Sequence, residues 1–370
     1  MLPGLGDALV AGPIIDGAAR AGWRLDVATM LESVAEYARA LDGIGDVEFF
    51  DLMAGQGRAM PSALRLRRNK YDLAIVPFPA ARWQYHALAL ASAPASLVTH
   101  DYGGSARALA GVAHARLVAL EGGHRIWENM RLARAAGLEP AKPFYVLPAG
   151  WKRPRRERLL GVHPGSMRYK GNDRKRWPAE NFAALIRASA AQGRHVRLFI
   201  GPAERELLPE LIAAAGTPGL EVIDAPLEHA ALALSECEVF VGNDAGFAHV
   251  ASGLGVKTVV LYGMTDPARS QPIGASIAVR PSPCPPCHDE GRRGFDCVLD
   301  IGFRCIQSDL PVAVASEAVE RAFAGDVPRF EPAERGAYRL FGRLRNATAT
   351  SVEDARSHTI AERSDVTAGT

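Results

Sequence analysis

No run of this 370-residue chain approaches the roughly 18 consecutive apolar residues that a membrane-spanning helix requires. The first residues carry no charged stretch followed by an apolar core, so a secretory signal is not expected. Both absences point to the cytoplasm, and peripheral attachment to the inner face of a membrane stays open. A large charge of one sign is also lacking. The net charge is +2, which gives no global case for nucleic-acid binding. Two basic runs, Arg65-Leu-Arg-Arg68 and Lys152-Arg-Pro-Arg-Arg-Glu-Arg158, read as solvated faces or linker. No complete Gly-x-Gly-x-x-Gly follows a strand-like segment, which disfavours an NAD oxidoreductase. No short internal repeat is visible. Cysteine is sparse, with five residues, of which Cys237 stands alone in an apolar run and reads as a buried core thiol.

What is present fits an ordinary globular protein, with 48% hydrophobic and 23% charged residues. The length suits two domains at roughly 100–200 residues each. In residues 1–150, short strand-like runs (Leu25–Thr29, Val47–Asp51, Tyr71–Pro77, Ser96–His100) alternate with helix-like ones such as Leu31–Leu41 and Pro61–Asn69. Such alternation implies βαβ units and a parallel sheet. The proline-rich stretch Leu138–Arg158 breaks the rhythm, with a linker at 151–158. The alternation then resumes: strands at Leu159–His163, His195–Ile200, Leu220–Asp224, Val239–Gly242 and Thr258–Leu261, helices at Pro178–Gln192, Ala203–Ala215, Leu227–Ser235 and Ala245–Leu254. This predicts a second doubly wound domain over 159–325, with a last helix near 308–324. Residues 326–370 form an extension, and the polar end from Asn346 reads as disordered.

The most telling segment is Val239-Phe-Val-Gly-Asn-Asp-Ala-Gly-Phe-Ala-His249, a buried strand running into a helix start. Backbone N–H groups and the helix dipole at such a junction attract phosphate, and small side chains let it approach. Three other polar loops also follow strands: His163-Pro-Gly-Ser166, Gly201-Pro-Ala-Glu204 and Asp224 to Glu228. In an open α/β sheet all four face one crevice. Ser166 reads as a phosphate-binding hydroxyl or a turn residue. Lys175 and Arg176, just before Trp177-Pro178, read as diphosphate cations, although spacing alone favours a solvated lysine. Asp244 reads as a helix cap or a site carboxylate, and His249 as a packed core histidine or a phosphate neighbour. At the other end, Gly4-Leu-Gly-Asp7 opens an apolar helix. Asp7 there is either a cap or a carboxylate at the mouth of the crevice, able to act as general base.

In order and spacing these pieces resemble glycosyltransferase family 9, the bacterial heptosyltransferase family. The matching segments are Gly4-Leu-Gly-Asp-Ala-Leu9, His163-Pro-Gly-Ser166, Lys175-Arg-Trp-Pro-Ala-Glu180, Gly242-Asn-Asp-Ala-Gly-Phe-Ala-His-Val-Ala251 and Tyr262-Gly-Met-Thr-Asp-Pro-Ala-Arg269, followed by a cysteine cluster. The resemblance implies a GT-B fold, two Rossmann-like domains facing a central cleft. It implies an inverting, metal-independent transferase that needs no cofactor and uses an ADP-sugar, ADP-heptose in the best-known members. The acceptor it implies is a glycan or glycolipid such as lipopolysaccharide core. Asp7 would be the general base. Lys175 would neutralise the leaving diphosphate, held also by Ser166 and the N–H groups of Ala245, Gly246 and Phe247. Glu228 would accept from the ribose, and Asp244 and His249 would complete the site. Members usually carry a strand ahead of the Gly-Asp loop, where Met1-Leu-Pro3 stands here, and Met264 replaces a common proline.

Cys284-Pro-Pro-Cys287, Cys297 and Cys305 give Cys-x2-Cys-x9-Cys-x7-Cys. Four thiolates could hold one structural zinc, and paired disulfides are the rival that a cytoplasmic location disfavours. Besides a transferase, three readings compete: a degenerate sugar-nucleotide-binding relative, a transferase for a small-molecule acceptor, and a sugar-nucleotide epimerase. The epimerase needs more acid/base residues than the crevice supplies.

Overall fold

The computed structural model describes residues 4–50, 59–103, 106, 108–112, 114–166, 174–217, 219–288, 297 and 299–336. The polar end expected to be disordered lies outside them.

The C-terminal half is built on one seven-stranded sheet. Its strands are β6 (Arg156–His163), β7 (His195–Ile200), β8 (Glu221–Asp224), β9 (Cys237–Asn243), β10 (Lys257–Leu261), β11 (Gly274–Val279) and β12 (Arg329–Phe330), in the order β12-β11-β10-β9-β6-β7-β8. All pairs are parallel except β11 with β12. Strand order reverses between β6 and β9, and a doubly wound sheet opens its binding crevice at that point, beyond the strands' carboxyl ends. Strand β9 is buried along almost its whole length because helices cover both faces. The helix Ala179–Ala191 forms because Phe182, Ala183, Leu185, Ile186 and Ser189 make one buried stripe. It ends where Gly193 takes a positive φ.

The N-terminal half departs from the single sheet expected. Strands β1 (Leu25–Thr29) and β2 (Ile44–Phe49) form one parallel pair, and β3 (Leu73–Ile75), β4 (Ser96–His100) and β5 (Ala115–Val118) a separate parallel trio. No pairing joins β1 to β3 among the described residues. Helices Leu5–Val10 and Gly12–Arg20 precede β1, and Arg125–Ala135 follows β5.

One hydrophobic core runs through both halves, including Leu9, Tyr37, Trp151, Phe240, Ala248 and Tyr262. The stretch expected to be a linker is part of it. Trp151 is buried beside Tyr37, whose hydroxyl donates to the Val146 carbonyl. Nor is the basic run simply solvated. Arg155 donates to the carbonyls of Cys237 and Leu254, and Arg156 already begins β6. The chain crosses between the halves a second time. After the helix Val312–Phe323 and β12, the carbonyls of Pro332, Ala333 and Glu334 accept from Trp127, His124 and Arg131 of the N-terminal half.

Candidate active site

The helix Gly246–Gly253 starts at the carboxyl end of β9, with Ala245 as an extended N-cap that makes no side-chain capping bond. Its first N–H groups are thus left without a side-chain cap at the crevice end of β9. Capping does not account for Asp244. Its carboxylate is buried and lies 3.5 Å from Lys175 Nζ. Burial pushes this carboxyl up, but the charges of Lys175 and Arg125 outweigh it and hold it below the usual range. Lys175 is correspondingly no solvated lysine. Its side chain is 15% exposed.

The opposing wall is the helix Leu5–Val10. Gly4 is its N-cap, so Asp7 does not cap but stands in the first turn, 3.6 Å from Arg125 at the start of the helix Arg125–Ala135. The two walls come very close. A β-carbon on Gly246 would lie 2.7 Å from the Gly6 nitrogen, and one on Gly6 3.2 Å from both the Gly246 Cα and His249 Cδ2. Asp7, Lys175, Asp244 and His249, far apart in sequence, thus sit around one cleft.

His249 is buried and held on its far side. Ile273 N–H donates to the Tyr145 oxygen at 3.0 Å, and the Tyr145 hydroxyl lies 2.8 Å from His249 Nδ1. With the tyrosine oxygen accepting from Ile273, its own proton goes to Nδ1, which leaves Nε2–H as a donor. Burial lowers the imidazole to about 4, so it is neutral at pH 7.

The remaining loops line up along the same sheet edge. Ser166 is buried, and its carbonyl and hydroxyl accept from Arg176, which also pairs with Glu204 at 2.8 Å. Arg176 and Glu204 hence fix the Pro-Gly-Ser loop. Asn243 clamps it from the other side: its Nδ2 donates to the Pro164 carbonyl at 2.7 Å while its Oδ1 accepts from Trp177 N–H at 2.9 Å. Glu228 is exposed in the first turn of Leu227–Ser235, at the outer end of the row, and Phe247 packs its ring on His163 and Phe199. Sequence reasoning missed Arg125 and Tyr145. Neither lies in a motif, and only the fold brings them to the cleft.

The cysteine cluster packs beside the loop that follows β10, where Cys287 N–H donates to the Met264 carbonyl. All five cysteines are free thiols. Burial raises Cys305 to about 12, and the neighbouring thiols of Cys284, Cys287 and Cys297 add to the effect. Among the described residues no three His, Cys, Asp or Glu side chains come together as a metal site. Also among the described residues, no helix is long and apolar enough to cross a membrane.

Residues 63–293 match the model of glycosyltransferase family 9 (heptosyltransferase). Lipopolysaccharide heptosyltransferase 3 of Escherichia coli is 28% identical over 219 residues, which cover 54% of this chain and 62% of that protein, less than two thirds of its length. The structure of E. coli ADP-heptose lps heptosyltransferase II superposes with a TM-score of 0.65 at 17% identity, covering 88% of this chain and 97% of that one. That of E. coli heptosyltransferase WaaC with ADP gives 0.66 at 19%, covering 86% and 97%. These likenesses establish the fold as GT-B. With a family match across more than half its length, the chain belongs to glycosyltransferase family 9.

Proposed function

We propose that this protein is an inverting, metal-independent glycosyltransferase that moves heptose from ADP-heptose to a hydroxyl of a lipopolysaccharide-core acceptor. The observation that carries the reading is the meeting of Asp7 with the Lys175–Asp244 pair and an uncapped helix N-terminus around one cleft. One wall offers a base and the other a diphosphate site. The family match and the ADP named in the WaaC structure support the donor. The domain assignment follows the same division, with residues 1–150 holding the acceptor and 159–325 the donor.

In this reading the acceptor oxygen attacks the anomeric carbon from the Asp7 side. Its proton passes to the Asp7 carboxylate, and the bond from the anomeric carbon to the diphosphate oxygen breaks on the opposite face. That order inverts the configuration. Arg125 holds Asp7 in place. Charge builds on the departing ADP, where Lys175, the Ser166 hydroxyl and the N–H groups at Ala245, Gly246 and Phe247 take it up. These fixed donors supply the positive potential that a divalent cation would otherwise provide. Neutral His249 donates from Nε2, and Glu228 accepts from the ribose hydroxyls. The thiols of Cys284, Cys287, Cys297 and Cys305 serve structure. The enzyme works in the cytoplasm, where ADP-sugars are available, and meets its acceptor at the inner membrane face.

The test is ADP release from ADP-heptose with core-oligosaccharide and small-molecule acceptors, for the parent protein, Asp7→Asn and Lys175→Ala. Loss of a general base lowers turnover by about 10²–10⁴. Asp7→Asn should therefore lose activity in that range while still binding ADP, and Lys175→Ala should also bind ADP more weakly. Equal turnover in Asp7→Asn removes Asp7 as the base. Donor binding without turnover on every acceptor makes the protein a sugar-nucleotide binder instead. Turnover unchanged by EDTA and an inverted product anomer are expected.

A further inference from the structure

The loop after β10 runs through Gly263, Met264, Thr265 and Asp266 into the short helix Pro267–Ser270. Leu261 pairs with Asn243 across β10 and β9, and Asp244 N–H donates to the Leu261 carbonyl at 3.2 Å. The loop therefore leaves the sheet beside Asp244, at the cleft.

This loop is tied at residue after residue. The Gly263 carbonyl accepts from Arg280 at 2.8 Å, and the Met264 carbonyl from the N–H groups of Cys287 and His288 at 2.9 and 3.0 Å. Asp266 caps the short helix by accepting from Ala268 N–H at 2.9 Å, and the Ser270 hydroxyl donates to the Asp266 carbonyl at 3.1 Å. Arg269 reaches the Gly122 carbonyl of the N-terminal half at 3.2 Å. Thr265 differs from these neighbours. It is 3% exposed, and its hydroxyl has no hydrogen-bond partner among the described residues. That hydroxyl stands beside the Asp244 carboxyl, short of hydrogen-bonding geometry. A buried hydroxyl without a partner is costly, and native proteins seldom keep one. A loop pinned in this way has little freedom to turn and satisfy it, which points to a partner from outside the chain.

The chemistry of this corner narrows the partner. The Asp244 carboxylate only accepts, and its charge repels phosphate. Lys175, 3.5 Å from it, only donates, and the Thr265 hydroxyl does both. Hydroxyls on a sugar ring, each a donor and an acceptor, can answer all three. The diphosphate suits the uncapped start of Gly246–Gly253 instead.

We propose that Thr265 is a specificity-determining residue whose hydroxyl, together with the Asp244 carboxylate, binds a ring hydroxyl of the sugar that the donor transfers. The inference rests on the transferase reading for the identity of that donor. In the free protein the threonine hydroxyl goes unsatisfied, and the sugar, not the nucleotide, satisfies it.

The test is calorimetric titration of the 370-residue protein with ADP and with ADP-heptose, for the parent, Thr265→Val and Thr265→Ser. Valine stays close to threonine in shape and lacks the hydroxyl. Thr265→Val should bind ADP-heptose about tenfold more weakly and ADP within about twofold of the parent, since one hydrogen bond is lost from the sugar alone. Thr265→Ser, which keeps the hydroxyl, should bind ADP-heptose within about threefold of the parent. Without ligand, Thr265→Val should melt at or above the parent's temperature, because a methyl group replaces an unpartnered hydroxyl. A hydroxyl bonded within the protein predicts a lower one. Three results overturn the proposal: a lower melting temperature for Thr265→Val, equal weakening of ADP and ADP-heptose, or unchanged affinity for ADP-heptose. The titration reads binding alone. A parent that binds ADP-heptose and transfers nothing ends the transferase reading and leaves this contact standing, whereas an active parent with any of the three results ends only the contact.

Discussion

The Tyr145 hydroxyl lies 2.8 Å from Nδ1 of His249. One residue belongs to the segment joining the halves and the other to the helix that would hold the donor. Since Ile273 N–H donates to the same oxygen, the tyrosine fixes both the tautomer and the tilt of the imidazole.

Tyr145→Phe should keep the ring packing and lose the hydroxyl alone. It leaves His249 Nδ1 and Ile273 N–H without this partner, at a cost of about 1–3 kcal/mol for each. Turnover should fall more than donor affinity, because the imidazole can rotate once the site is occupied. Kinetics in ADP-heptose and urea unfolding check the two halves of this expectation. Unchanged turnover alongside the stability loss would make the bond purely structural.

Gly246→Ala should damage the protein although alanine is the better helix former. The new methyl carbon would stand 2.7 Å from the Gly6 nitrogen and 3.0 Å from Leu5 Cβ, so the two walls must part. Overpacking of this kind costs about 1–3 kcal/mol. Gly6→Ala, whose nearest contacts are 3.2 Å, should cost less. Thermal unfolding of the two variants gives the order, and a reversed order contradicts the packing described.

Asn243→Ala removes a buried clamp from two backbone groups, Pro164 C=O and Trp177 N–H. The loss should be about 2–6 kcal/mol, at about 1–3 kcal/mol for each group left unsatisfied. ADP affinity should fall as well, because the clamp sets the Ser166 loop. Denaturant titration with and without ADP measures both, and a cost below about 1 kcal/mol means water replaces the clamp.

Acid should destabilise the fold well above the carboxylate range. Burial lowers His100 and His249 to about 4, and His124 and His163 to about 3. Unfolded, each titrates near the ordinary value of 6.5, so below that pH the unfolded chain binds more protons than the folded one. Stability is therefore full above about pH 7 and falls as pH drops from 6.5 towards 4, by at most about 1.4 kcal/mol per pH unit for each histidine. Glu128, whose buried carboxyl is raised, works in the opposite sense. Urea midpoints at pH 7, 6 and 5 should decline steadily. A flat profile rules out the neutral buried histidines.

The second half was legible in detail. His195–Ile200 and Leu227–Ser235 match the observed elements residue for residue, because alternating apolar blocks with Pro and Gly at their ends specify their own boundaries. The loop row at the carboxyl ends followed from that pattern. Strand β11 was overlooked, since Gly274-Ala-Ser-Ile-Ala-Val279 is too weakly apolar to stand out and owes its place to β10. Strand β5 and the helix Arg125–Ala135 carry no motif, so Arg125 went unseen. The opposite error concerned Lys175. Spacing cannot tell a solvated lysine from one facing Asp244, which lies 69 positions on. The pairing belongs to the switch point between β6 and β9, a property of strand order.

The two crossings between the halves have a mechanical meaning. A single covalent connection would leave a swivel, free to turn about any direction. Here one connection is nailed down by Trp151 and Tyr37, and the other by Trp127, His124 and Arg131 on the returning segment. Two anchored connections side by side behave like the pins of a door. Twisting or sliding one half against the other would tear the hydrogen bonds that Trp127, His124 and Arg131 make to the returning segment, so these contacts resist any slip of Asp7 past Lys175.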